Sequence, residues 1–440
     1  MDTHIDNTGL LSASHTGRLT NWQLFCYGFL SFPIAIAGFV LVTYIPTFYA
    51  IEMGLGLSLV GYVFVFGRLL DVITDPLIGY FSDQTQSRLG ARRPWMIVGA
   101  PLFCLAAWLL FVPPDTATLP YLLLVSSCYF LFYTALDVPY SSVGLEISSR
   151  IHERSVLAST KAAFQVAGAL FAALIPLIFV LNTQESLTLT SKIILITSFL
   201  ALCLFLYFVP RKLIIGKPSK PTLERTLSTI WANRPYRYII FTFLIVQTAN
   251  ALTAGLTVLF VTYIIKAPHL IGLFLGVVLV SSALFLPLWI RLSKRHSKKK
   301  AWESSILICM ASLATIPFLG EGDIIHAVIF SVLFGAACGC DAIMPTSMLA
   351  DIVYKDELDG KGRFAGSYLA VKNSVSKLTF IAPMGLAFPI LDAVGFNSNS
   401  SNTANTLSVL IFFYAVLPFF LRGIALMGVL KMPQTERLYA

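Results

Sequence analysis

Long apolar runs alternate with short polar connectors twelve times along the chain, at roughly 22–49, 57–81, 95–112, 119–148, 158–182, 190–210, 237–265, 268–290, 303–319, 324–350, 364–393 and 405–427. At 1.5 Å of rise per residue, runs of this length match a hydrocarbon core about 30 Å thick. The pattern predicts an all-α membrane protein with 12 transmembrane helices. Pro33, Pro46, Pro139, Pro287, Pro345 and Pro383 fall inside apolar runs and are candidate kinks. The longest polar connector, 211–236, holds Pro218, Pro221 and Pro235 and divides the runs six and six. The expected layout is an N-tail at 1–21, a first six-helix bundle at 22–210, a central loop at 211–236, a second six-helix bundle at 237–430 and a C-tail at 431–440.

Composition agrees with that reading. The chain is 57% hydrophobic and only 12% charged, with a mean hydropathy of +0.78, where a soluble domain carries about 25% charge. An even number of spans puts both termini on one side. One alternating set of connectors holds 24 of the 31 Lys and Arg residues, while the opposite set holds only Lys192 and Lys266. Basic residues favour the cytoplasmic face, so both termini are expected in the cytoplasm. This accounts for the net charge of +9 without a nucleic-acid partner, including the run Arg291–Lys300. Residues 1–21 show no basic stretch followed by a cleavable apolar core, so no signal peptide is expected. The seven cysteines lie in apolar runs and read as small buried hydrophobes, not disulfides or a zinc site.

Within the second run, Asp71 and Asp75 stand four residues apart on one helical face, with Thr74 beside them. A carboxylate near the centre of a membrane helix costs roughly 2.5–3.5 kcal/mol on insertion scales. Two carboxylates and a hydroxyl at low dielectric either take up a proton or bind a small cation. A structural ion pair with Arg68, one turn earlier, is the alternative, although one guanidinium offsets only part of two negative charges. After this run comes Gly79-Tyr-Phe-Ser-Asp83-Gln-Thr-Gln-Ser-Arg88-Leu-Gly90-Ala-Arg92-Arg93-Pro94-Trp95. Gly79 allows close helix approach, and Asp83 can face Arg88, Arg92, Arg93 or a helix N-terminus. The stretch reads either as a cytoplasmic latch between rocking halves or as an ordinary positive loop.

The two halves echo each other weakly. Asp137-Val-Pro139 through Glu146 to Arg150 in the fourth run matches Asp341 through Pro345 and Asp351 to Lys355 in the tenth, and each is followed by a run containing Lys. Duplicated six-helix units with a site between them are a transporter architecture. An integral-membrane enzyme holding Mg²⁺ on Asp71, Asp75 and Asp83 is the competing class, but the fuller acidic and glycine pattern of such transferases is missing. No P-loop, dinucleotide fingerprint, His-Glu-x-x-His or nucleophile–base signature is present.

The Gly79–Arg93 stretch resembles the loop signature of the major facilitator superfamily. With Asp71-x-x-x-Asp75-Pro76, Arg93-Pro94-Trp95, Asp137-Val-Pro139, Glu153-Arg154, Ala350-Asp351-Ile-Val353, Lys377 and Gly395-Phe396, the chain resembles the glycoside-pentoside-hexuronide:cation symporters. The resemblance runs along nearly the whole chain. It implies the major facilitator fold and alternating-access symport in a bacterial-type cytoplasmic membrane, with Na⁺ or H⁺ as the coupling ion, no further cofactor, and a monomer. The family's cation site falls on Asp71, Thr74, Asp75 and Thr134, with Lys377 balancing its charge when empty. Its substrate pocket falls on Tyr133, Asp137, Ser141 and Lys161, with a structural Asp137–Lys161 pair as the alternative.

The chain also departs from the family pattern. An Asn of the cation site is replaced by Thr74, which weakens a sodium cage and keeps a proton site open. The family's sugar-clamping Asp on the first run is replaced by Ala35, and a Trp on the fourth by Ser141. A galactoside therefore fits poorly. A sugar, glycoside or sugar acid is the first expectation for the solute. A lysophospholipid-like amphiphile is the second, because sodium-dependent lysophosphatidylcholine symporters share the Asp71/Asp75 pattern and the basic residue at Lys377.

Overall fold

The prolines shape the helices largely as the run lengths suggest. A proline lacks the N–H and crowds the carbonyl four residues back, so a helix loosens just upstream of it. The helical path breaks at Leu30 before Pro33, at Tyr44 before Pro46, at Phe285 before Pro287 and at Thr379–Phe380 before Pro383. Pro139 and Pro345 sit inside unbroken helices. A wide turn at Phe412–Val416, upstream of Pro418, was not anticipated.

The computed structural model describes residues 19–147, 151–179, 182–210, 231–358, 365–397 and 402–432. Most of the expected central loop and nearly all of both tails lie outside these residues. Twelve helices are long and apolar enough to cross a membrane: α1 Asn21–Thr43, α2 Leu57–Ser82, α3 Arg93–Phe111, α4 Leu119–Gly144, α5 Val156–Phe179, α6 Thr183–Phe208, α7 Arg234–Ile265, α8 Pro268–Arg295, α9 Lys298–Phe318, α10 Ile324–Val353, α11 Val371–Ala393 and α12 Ala404–Lys431. No strand occurs among the described residues.

Two helices start earlier than hydropathy alone suggests because polar caps begin them. At α6 the Asn182 side chain accepts from the Glu185 N–H while Glu185 reaches back to the Asn182 N–H, a reciprocal cap. At α9 Ser297 accepts from the Lys300 N–H. The cysteines are all free. Only Cys26, Cys309 and Cys340 are fully buried, and Cys203 is exposed on α6, so burial was overread for the others.

Packing gathers the first six helices and the last six separately. In the first group α1 packs on α5 and α6, α2 on α4, and α3 on α4 and α6; in the second α7 packs on α10 and α12, α8 on α10, and α9 on α10 and α12. The groups meet where α5 lies on α8, α2 on α11 and α1 on α7. Two glycines permit the closest approaches, since neither Gly61 on α2 against the Met384 carbonyl nor Gly272 on α8 against the Ala173 carbonyl leaves room for a methyl group. Both contacts lie at the end of the bundle where α2 and α8 begin, so the halves touch there. Aromatic and aliphatic cores fill each group, with Tyr236, Trp289, Trp302 and Tyr368 anchoring a second cluster within α7–α12.

Candidate functional site

The seam between α2 and α11 carries the principal charge cluster. Asp71 is fully buried on α2 and Asp75 lies one turn further on. Lys377, on α11 and 302 positions away in sequence, donates to Asp75 Oδ2 at 2.5 Å and stands 3.9 Å from Asp71 Oδ2. Arg68 donates to Asp71 Oδ2 at 3.3 Å. Its guanidinium lies between the rings of Phe130 on α4 and Phe380 on α11, 5.2 Å from each centroid. Two carboxylates therefore face two cations. Arg68 is clamped by its rings, whereas Lys377 is a flexible ammonium with about a quarter of its side chain exposed. The ion pair anticipated from Arg68 forms, but it takes Asp71 only.

Thr134, buried on α4, completes the cluster. Its Oγ1 lies 3.2 Å from Asp71 Oδ1 and 3.0 Å from Asp75 Oδ1. One hydroxyl has one proton, so it can donate to only one carboxylate at a time. The Thr74 hydroxyl, on the same turn, is buried without a partner. No larger group of acidic, His or Cys ligands suited to a metal occurs among the described residues.

A second cluster lies between α4 and α5. Lys161 donates to Asp137 Oδ1 at 3.1 Å and to Ser141 Oγ at 2.6 Å, and its ammonium sits 4.7 Å from the Tyr140 ring centroid. Its backbone carbonyl accepts from Ser31 at 2.9 Å, tying α1 to α5. Tyr133, one turn before Asp137, stacks on Tyr129 and meets Phe103 edge-on. The four residues assigned to a solute pocket thus lie on adjacent turns, with Asp137 already engaged by Lys161. Position 35 is a helix contact: Ala35 and the Phe32 carbonyl pack so closely on Gly168 of α5 that Gly168 has no room for a methyl group. Around it, Phe25, Phe29 and Phe32 stack along α1 and pack against Phe164 and Phe171 of α5.

The residues of the expected latch take less dramatic places. A methyl group at Gly79 would rest 3.8 Å from Val138, so the close approach expected there does not occur; it falls at Gly61 instead. Arg92 donates to Ser82 Oγ at 2.6 Å, and Arg93 donates to the Val209 and Leu206 carbonyls at the end of α6. These bonds stay within the first half. Arg88 is exposed, and the side chain of Asp83 lies outside the described residues.

Sequence reasoning missed a third cluster, inside the second half. Arg422 on α12, fully buried, donates to Asp341 Oδ2 at 2.9 Å and to Asn250 Oδ1 at 2.5 Å. Trp302 Nε1 donates to Asp341 Oδ1 at 3.0 Å, and Asn250 donates to its other oxygen at 3.2 Å. The echo between Asp137 and Asp341 suggests a lysine from the next run as partner, yet Asp341 pairs with α12. Lys372 on α11 lies over the Phe243 ring instead. The available signal was Arg422 itself, a lone cation in an apolar run, read by the logic that singled out Lys377.

Comparison with known proteins places this geometry among transporters. Residues 26–434 match the family described as MFS/sugar transport protein. The inner membrane symporter YicJ of Escherichia coli is 25% identical over 85% of this chain and 83% of its own length. The human sodium-dependent lysophosphatidylcholine symporter 1 is 26% identical over 65% of this chain and 59% of its own length. Among solved structures, the nucleoside transporter NupG superposes with a TM-score of 0.66 at 13% identity, covering 94% of this chain and 100% of NupG; at that identity the likeness concerns the fold.

Proposed function

The chain belongs to the MFS/sugar transport protein family, and from that premise we propose that it is a secondary symporter of the cytoplasmic membrane, both termini cytoplasmic, moving a sugar, glycoside or sugar-acid-like solute with a monovalent cation. Membership of a transporter family sets the enzyme reading aside. The observation that carries the proposal is the contact of Lys377 with Asp75, because it makes the charge state of α2 depend on the position of α11.

Without a coupling ion, the Lys377 ammonium neutralises Asp75 and holds the two halves together at this point. A proton or Na⁺ entering among Asp71, Asp75, Thr134 and the unpartnered Thr74 hydroxyl takes over that neutralisation and releases Lys377. At an effective dielectric constant near 20, an ion pair at 4 Å is worth about 4 kcal/mol. An exchange of that size is enough to shift a two-state equilibrium between inward- and outward-facing forms. Arg68, held between two rings, keeps Asp71 paired throughout. Coupling then requires only that the site emptied of both cation and Lys377 be too costly to cross the membrane.

Solute binding falls to the α4–α5 cluster. Asp137 accepts hydroxyl hydrogens and Lys161 anchors an anionic or hydroxyl oxygen, with Tyr133 and the α1 rings supplying a stacking face. An amphiphilic solute is the second reading. It is favoured by Ala35, packed where a sugar clamp would stand, by the aromatic ladder beside it, and by the lysophosphatidylcholine symporter among the relatives.

A thermal-unfolding screen of purified protein against sugars, sugar acids and lysolipids, with and without Na⁺ and at two pH values, tests both readings. A true solute raises the unfolding temperature more when its co-ion is present. Stabilisation by a solute that no cation enhances would remove the coupling proposal.

A further inference from the structure

At the end of the bundle where the chain termini lie, α7 and α11 enclose a groove of about 440 Å³ that neither charge cluster uses. Its floor is Phe241, Leu244, Val371 and Val375, and its rim carries Arg234 and Arg237. The arginines stand three residues apart, on one face of the first turns of α7. Neither forms an ion pair with a carboxylate among the described residues. Asp356 is engaged by other groups, accepting from Asn233 at 3.0 Å and from the Tyr368 hydroxyl at 2.7 Å.

One feature of this rim favours an anion and a second favours an apolar chain beside it. The first turn of α7 contains no acidic residue, although the positive end of a helix dipole favours negative charge and disfavours arginine. The helix thus places two guanidiniums where its own field repels them. Below the rim the groove is apolar, and Phe241 is left 61% exposed, so a free inorganic anion would leave the floor uncovered. Trp231 and Tyr238 flank the entrance, as amphipathic rings do at a headgroup boundary. A phosphate joined to an acyl chain meets both requirements at once.

We propose that this groove holds one anionic phospholipid from the bilayer, with its phosphate between Arg234 and Arg237 and a chain along Phe241, Leu244, Val371 and Val375. The site has a consequence for transport. Val371 and Val375 face the groove, while Lys377, two residues beyond Val375 and about 200° around the helix, reaches Asp75. A lipid in the groove therefore buttresses the face of α11 opposite the one that bears the exchanging ammonium. The inference does not depend on which solute is carried.

The test uses the full-length protein in non-ionic detergent. Thermal unfolding is followed with phosphatidylglycerol, with phosphatidylcholine of the same chains, and with inorganic phosphate alone, and retained lipid is counted by mass spectrometry. Phosphatidylglycerol is expected to stabilise selectively. The Arg234→Gln/Arg237→Gln variant is expected to bind it about thirtyfold more weakly, and Arg234→Lys/Arg237→Lys is expected to keep most of the selectivity. Leu244→Trp, which fills the floor with both charges intact, is expected to abolish retention. Equal stabilisation by the two lipids, or selectivity surviving the double Gln change, would overturn the proposal. So would stabilisation by inorganic phosphate to the same extent, which would make this a simple anion site. Displacement of phosphatidylglycerol by the transported solute would assign the groove to the cargo instead.

Discussion

Two buried charge clusters, one across the seam and one inside the second half, use the same kinds of residue to opposite ends. Around Asp341 both carboxylate oxygens are engaged: Arg422, Asn250 and Trp302 converge on them, all from helices of the second half, while Arg422 Nε and Nη1 stay buried without hydrogen-bond partners. Around Asp71 and Asp75 one hydroxyl serves two carboxylates, a neighbouring threonine hydroxyl has no partner, and the ammonium that closes the cluster comes from the other half. A carboxylate saturated by partners of its own bundle makes a fixed joint. Carboxylates whose closing partner comes from the other bundle make a place where a cation can enter and a contact can let go.

The comparison breaks most decisively at the saturated cluster. Arg422→Ala leaves a buried carboxylate uncompensated, and loss of one partner of a buried pair costs about 3–5 kcal/mol. The expected outcome is poor recovery of folded protein and a clear drop in unfolding temperature in detergent. Replacing both partners, Asp341→Leu with Arg422→Met, removes the stranded charge and is expected to restore most of that stability. A double variant as unstable as the single one would show that the pair does more than hold the bundle together.

At the unsaturated cluster the prediction reverses. Asp75→Asn keeps the shape and removes one charge, so the protein is expected to fold normally, lose concentrative uptake into proteoliposomes and retain some downhill exchange. Thr134→Val removes the shared hydroxyl, worth about 1 kcal/mol or somewhat more beside charged groups. Cation affinity, read from the cation dependence of unfolding temperature, should fall several-fold, and Thr134→Ser should restore it. The smallest effect is expected at Gly79. Because a methyl group fits there, Gly79→Ala should leave uptake intact and add about 0.5–1 kcal/mol of stability from reduced unfolded-chain freedom.

What could be read before any coordinates existed followed from the cost of polar groups in hydrocarbon. Asp71 and Asp75 stood out because charges in an apolar run are costly, and the family resemblance pointed to Lys377; the structure brings the three together. The twelve helices were legible for the same reason, and four of the six candidate prolines mark real breaks. Hydropathy is blind to partner choice. It could not tell that Asp341 turns to Arg422 on α12, that Lys161 also donates to Ser141, or that Ala35 packs against Gly168. Nor could it place the start of α6, where the polar pair Asn182 and Glu185 begins the helix ahead of the apolar run.

The central claim is that Asp75 alternates between Lys377 and the coupling cation, and gradient-driven uptake tests it most directly. Proteoliposomes containing wild type, Asp75→Asn or the Asp341→Leu/Arg422→Met double variant would be given the same labelled solute under imposed Na⁺ and proton gradients. The account predicts that Asp75→Asn equilibrates the solute without accumulating it, while the double variant accumulates it as wild type does. Undiminished accumulation by Asp75→Asn would contradict the account.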